Sequence, residues 1–221
     1  MRVIDLGLEI HKDMTIWPDP MYHAPELTFI IDPADDPLGR CSGQVKFHNH
    51  LGTHMDSPKH FGFPTSIDQA DLNVLDGPAF IMKFPEVQTG PITAEMLDSK
   101  LPKDYDTKGK RLLIGTGYLD ANWEKENYFE GAPYLHDSGA RWAVEKGFVL
   151  VGLDCQTDGE RDRGPVTHTE LLSHGIYILE YICNVDQWPE GESFLVANPL
   201  KLRNMEASVV RPCLIEGIHV D

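Results

Sequence analysis

A sheet-rich α/β fold is predicted for this chain. Nine short β-branched or apolar runs recur along its 221 residues, only three stretches carry helical signals, and no Gly/Ser- or Pro-rich linker divides it. One domain spanning residues 1–221 is therefore expected, and 41% apolar residues suffice to give it a sizeable core.

The first three runs, 3–9 (VIDLGLE), 27–31 (LTFII) and 43–49 (GQVKFHN), have the composition of strands and are separated by Pro-, Gly- and Asp-containing breaks. Runs 79–84, 111–116 and 148–153 are nearly continuous apolar segments. They read as strands in the same way. Runs 176–182, 194–197 and 208–215 complete the set. Helices are expected over 93–99, over 134–146, where Gly147 supplies a left-handed stop, and over 167–172, entered through Pro165 and ended by His174-Gly175. Residues 101–104 and 122–131 are polar and interrupted by proline or glycine, so they read as exposed connections.

Charge excludes several functions. With 19 Lys+Arg against 35 Asp+Glu the net charge is −16, and a pI near 4.9 repels a phosphate backbone or an anionic membrane surface. No nucleic-acid or membrane partner is expected. A small-molecule substrate is. The first residues lack the basic and apolar regions of a secretory signal, and no apolar run approaches the roughly 18–20 residues that span a bilayer, so a soluble cytoplasmic protein is expected. Cys41, Cys155, Cys183 and Cys213 form no C-x-x-C pair and are expected to be buried free thiols.

Histidine is the compositional anomaly. Four of the ten, His48, His50, His54 and His60, fall within 13 residues, where even scattering of 10 over 221 gives about 0.6. Gly52 and Pro58 argue against a continuous helix there. In an extended segment, period two places His50, His54 and Asp56 on one face, an N,N,O set suited to zinc, manganese or ferrous iron. Histidines in apolar surroundings are ordinarily hydrogen-bonded core residues, and His48 reads as a donor behind a ligand or as a surface residue as readily as a ligand. Downstream, His168 and Glu180 stand twelve residues apart. His168 also reads as a solvated helix residue and Glu180 as an exposed strand position, but a carboxylate within Ile-Leu-Glu-Tyr-Ile is costly to bury without a cation.

The segment His50-x-Gly52-Thr53-His54-x-Asp56-x-Pro58-x-His60 resembles the H-x-G-T-H-x-D-x-P-x-H motif of the cyclase family of metal-dependent hydrolases, which includes bacterial kynurenine formamidases and isatin hydrolases. The likeness extends to Ile4-Asp5-Leu6, Trp17-Pro18, Val151-Gly152-Leu153-Asp154 and Asn198-Pro199-Leu200-Lys201. It implies a swivelling β/β/α domain and a homodimer or higher homo-oligomer. It further implies that His50, His54, Asp56, His168 and Glu180 ligate one or two divalent cations, zinc or manganese, with Asp56 and Glu180 shared in the two-ion case. His60 becomes the acid/base residue and Trp17 a wall of the substrate pocket. The chain departs from the formamidase pattern at Asp19-Pro20, at Ser57 in place of a usual alanine, and at Cys155-Gln156-Thr157-Asp158. These departures bear on substrate selection.

The expected reaction is hydrolysis of an aryl formamide such as N-formylkynurenine, the cation supplying hydroxide at neutral pH and His60 protonating the departing nitrogen. A cyclic amide or lactone such as isatin is the alternative substrate. A non-catalytic metal-binding protein is the alternative of another class, distinguished by a closed ligand shell. Trp17 offers an aromatic face to a flat substrate, whereas Phe61 and Phe63 are read as core.

Overall fold

Residues 1–218 are described by a computed structural model. In chain order the strands are β1 (Arg2–Asp5), β2 (Glu26–Ile31), β3 (Ser42–Lys46), β4 (His54–Asp56), β5 (Gly77–Lys83), β6 (Pro91–Ile92), β7 (Arg111–Gly115), β8 (Tyr134–Leu135), β9 (Leu150–Leu153), β10 (Tyr177–Glu180), β11 (Gly191–Val196), β12 (Ala207–Val209) and β13 (Cys213–Glu216). The helices are α1 (Leu72–Leu75), α2 (Ala94–Lys100), α3 (Tyr118–Asn122), α4 (Asp137–Lys146) and α5 (Val166–Ser173). No helix among the described residues is long and apolar enough to cross a membrane.

Nine strands form one mixed sheet in the order β1-β13-β11-β5-β7-β9-β10-β4-β12. Its centre, β5-β7-β9-β10, is parallel, and the flanking pairings are antiparallel. Every residue of β7 and β9 is buried. That burial explains why their sequences run apolar without alternation. Side chains of alternate parity feed two cores: Leu112, Ile114, Val151 and Ile178 pack with Leu97, Trp142 and Leu171 from α2, α4 and α5, while Leu113, Leu150 and Leu179 pack with Leu75, Val185 and Trp188 on the opposite face. The carboxyl ends of parallel strands in such a sheet are where ligands bind, because chain reversals there leave a crevice. Here those ends carry Asp154 to Asp158 and Glu180.

The sheet-rich α/β class is as expected, with local corrections. The run 3–9 is a strand only to Asp5, and 43–49 only to Lys46. Residues 208–215 are two strands rather than one, since Pro212 lies between β12 and β13 and cannot donate to a ladder. Tyr134 and Leu135 belong to β8, and α4 starts only after His136, whose side chain accepts from the Ser138 amide. Gly147 ends that helix in the left-handed conformation, as expected. Segment 122–131 is exposed at residues 124–127, 130 and 131, as expected, but its Trp123 and Tyr128 are buried in a cluster with Met14, Leu51 and Tyr181. The cysteines are free, but Cys41 is exposed and Cys213 half-buried.

The β2–β3 hairpin stands apart from the large sheet and is exposed on both faces, with Phe29, Ile30 and Val45 open to solvent. A two-stranded ribbon with uncovered apolar residues is only marginally stable alone.

Candidate metal centre

Antiparallel pairing sets His54 opposite Glu180 and Asp56 opposite Ile178, so His54, Asp56 and Glu180 share one face of the β10–β4 ladder. One ligand atom from each lies within 4.8 Å of the other two. His50 reaches the same place by another route. It sits in a turn rather than on the strand, which corrects the extended reading of residues 50–56. The turn depends on Gly52, at φ +53°, where a Cβ would also stand 2.9 Å from Met14 Cε. His50 Nδ1 comes to 2.9 Å from Asp56 Oδ1.

His60 lies on a single 3-10 turn, Pro58–Phe61, whose proline fixes the entering backbone. Its ring centroid is 4.3 Å from that of His50 and 5.8 Å from that of His168. His168 projects from the first turn of α5, its Nε2 3.6 Å from Asp56 Oδ2 and 3.5 Å from Glu180 Oε1. All five ligand candidates and His60 thus converge, and Glu180, 7% exposed, is no surface residue.

Hydrogen bonding decides which atoms are left for a ligand. His54 Nδ1–H donates to the Gly52 carbonyl at 2.8 Å, leaving Nε2 buried without a hydrogen-bond partner. His168 Nδ1–H donates to Asp158, which also takes the amides of Thr167 (2.7 Å) and His168 (3.3 Å) at the start of α5. His50 Nε2 faces Glu206 at 3.4 Å. Carboxylates or carbonyls behind ligand imidazoles fix ring orientation in metal sites. Thr157 Oγ1–H donates to Glu180 Oε1. Fully buried Asp56 accepts no aligned hydrogen bond on either oxygen, although imidazole nitrogens stand 2.9, 3.5 and 3.6 Å away. Buried lone pairs that face one another need protons or a cation between them, and the nitrogen and oxygen donors suit a borderline or hard divalent ion that would displace the protons.

Electrostatics agree. Burial opposes protonation of His50 and His168, but the surrounding carboxylates outweigh it and raise both to about 10. Burial raises and the imidazoles lower the Asp56 carboxyl, which ends well below its usual range. His60 goes the other way: burial, reinforced by the charges of His50 and His168, lowers it to about 4 against the pull of Asp56 and Glu180. It is therefore neutral at neutral pH.

A cavity of about 320 Å³ opens onto this cluster. Trp17 lines it, its ring 4.8 Å from that of Phe129. Phe61 does so too, stacked 5.3 Å from His168, so the core reading of Phe61 is incomplete; Phe63 packs against the core. Sequence reasoning missed Tyr22, Trp123, Phe129, Asp158, Tyr181 and Glu206. Asp158 alone carried a signal, in the noted departure at 155–158. His48 is not among the lining residues; its ring packs 4.5 Å from that of Tyr22, and burial lowers it to about 4. Tyr181 has φ +56°, a conformation that costs a non-glycine residue on the order of 1–3 kcal/mol.

This fold and cluster define a metal-dependent hydrolase type of site. The family model "Putative cyclase" matches residues 4–158, and the chain belongs to that Cyclase family. A kynurenine formamidase of Bacillus cereus is 29% identical over 212 residues, covering 94% of each chain. Cyclase-like protein 1 of Arabidopsis thaliana is 32% identical over 184 residues, covering 78% of this chain and 69% of its own. Among solved structures, an isatin hydrolase bound to the product analogue thioisatinate has a TM-score of 0.86 at 19% identity, covering 96% of this chain and 92% of that one. A structure described as a predicted metal-dependent hydrolase from Bacillus stearothermophilus has a TM-score of 0.77 at 25% identity, covering 96% and 97%.

Proposed function

We propose that this chain is a metal-dependent hydrolase of carbon–nitrogen bonds whose substrate is an aryl formamide of the N-formylkynurenine type. His50, His54, Asp56, His168 and Glu180 would hold one or two divalent cations, zinc or manganese. The observation that carries this reading is buried Asp56, whose two oxygens face three imidazole nitrogens without an aligned hydrogen bond. The formamidase relatives, alike over 94% of both chains, support the substrate class.

When bound, a divalent cation polarises a carbonyl and lowers the pKa of water from 15.7 to about 7. The protein supplies the rest. His54 and His168 are each oriented from behind, by the Gly52 carbonyl and the Asp158 carboxylate, so neither ring has to reorganise during the reaction. Neutral His60 accepts a proton from the attacking water and delivers it to the departing nitrogen. An amine anion is a poor leaving group, so this transfer is worth about 10²–10⁴-fold. Trp17, Phe61 and Phe129 offer aromatic walls to a flat substrate.

We further assign one domain over residues 1–221, working in the cytoplasm as a homodimer or higher homo-oligomer; the uncovered apolar hairpin supports self-association. The test is turnover of N-formylkynurenine, formanilide, isatin and an aryl lactone by protein loaded with zinc or manganese. Cleavage led by the formamides supports the reading. Preferential opening of isatin or the lactone replaces it with the cyclic-substrate alternative, and metal binding without turnover of any of the four leaves a non-catalytic protein.

A further inference from the structure

We infer that Tyr181 is a specificity-determining residue, its ring forming the cavity wall beside the cation ligands and admitting a planar aryl group in preference to a bulkier one. This rests on the proposed amide hydrolysis and deepens it. Three non-glycine residues among those described have positive φ: Tyr181, Asn184 and Asn204. Asparagine visits this region readily, because its short polar side chain bonds locally; tyrosine does not.

The consequence for side-chain direction is visible in the packing. Along β10, Tyr177 and Leu179 enter the core with Trp188, while Ile178 enters the one with α4 and α5. Regular alternation would send Tyr181 after Leu179. Instead Ile182 occupies that side, and Tyr181 turns into the cavity alongside Glu180. The positive φ therefore shifts the strand's phase by one residue at the site. Three bonds hold it there: Thr53 Oγ1–H donates to the Tyr181 carbonyl at 2.6 Å, the Ile182 amide to Leu153 at 3.1 Å, and the Cys183 amide to Leu6 at 3.0 Å.

The ring itself sits 5.8 Å from that of His54, 5.2 Å from Trp123 and 6.4 Å from Phe129, and is 8% exposed. Tyr181 thus belongs to the part of the cavity wall beside His54. A strained conformation retained where it places a large side chain against the reacting region points to a role in shaping what enters.

The test compares Tyr181→Asn, which suits the backbone and removes the ring, with Tyr181→Phe, which keeps it. Each is assayed for kcat/KM on formanilide and on its 2-tert-butyl derivative, whose bulk lies beside the amide, and for binding of benzamide and 2-tert-butylbenzamide by calorimetry. Metal content of every sample is measured. The wild type should prefer the smaller member of each pair. Tyr181→Asn should shift that preference toward the bulky member by about tenfold or more, the scale of a pocket-shape change, with metal content unchanged. Tyr181→Phe should stay within about threefold of wild type. An unchanged preference in Tyr181→Asn, or an equal shift in Tyr181→Phe, overturns the inference. If Tyr181→Asn does not fold, Tyr181→Gly takes its place under the same criteria. If the wild type cleaves neither anilide, the amide function falls while the benzamide pair still decides the role of Tyr181.

Discussion

Replacing Asp158 by asparagine tests how His168 is held. The Asp158 carboxylate takes three donors, the His168 Nδ1–H and the amides of Thr167 and His168 in the first turn of α5. Asparagine keeps one oxygen, enough for the Thr167 amide, and turns an amino group toward the His168 nitrogens, so only part of the bonding at the helix start is given up; alanine loses all three bonds, a capping cost of about 1 kcal/mol. What both variants lose is the anion behind the imidazole. Outer carboxylates of this kind are worth about 10–100-fold in metal affinity, or roughly 1.4–2.7 kcal/mol. Competition with a chromophoric chelator should show that loss in Asp158→Asn while the urea midpoint moves little. Undiminished metal affinity would refute the reasoning, as would a fall explained by equal unfolding.

Cation binding near pH 7 should expel the protons that the carboxylates hold on His50 and His168, both raised to about 10 without a cation, so affinity should climb as pH rises toward that value. Calorimetry in buffers of different ionisation enthalpy should find protons released; none released would remove both imidazoles from the ligand set. His60→Ala should keep its metal yet lose about 10²-fold or more on an anilide and far less on an activated ester. Parallel losses with reduced metal would make His60 a ligand, a role its proximity to His50 and Asp56 allows. Gly152→Ala places a Cβ 2.3 Å from Leu113 Cδ2 in a closed core and should destabilise by about 1–3 kcal/mol in urea unfolding; a neutral result would contradict the packing described for β9.

Much of the site was legible because its residues announce themselves by type and spacing. His54, Asp56 and Glu180 obey strand periodicity, and the two strands pair in register. His50 was found for an incorrect local reason: the sequence cannot show that Gly52 bends the chain back on itself, so the convergence held although the extended segment did not. The central strands were readable because burial on both faces leaves them almost wholly apolar, Arg111 at the start of β7 being accommodated by the Val74 and Asn73 carbonyls. The cavity walls were not. Trp123 and Phe129 lie in a polar, glycine-broken stretch whose aromatic residues turn inward only after the chain folds against Met14 and Tyr181. Glu206 likewise meets His50 across 156 residues of sequence, with its carbonyl held by the Ser57 amide and hydroxyl, at the position where the chain departs from the formamidase pattern.

The central claim, that Asp56 organises a divalent-cation site, is tested most directly by anomalous diffraction from crystals equilibrated with manganese. Density is expected against Asp56 Oδ1 on the His50–His54 side, with a second peak toward Oδ2, His168 and Glu180 if two ions bind. No peak at Asp56, or an ion held elsewhere while these imidazoles keep their positions, would contradict it.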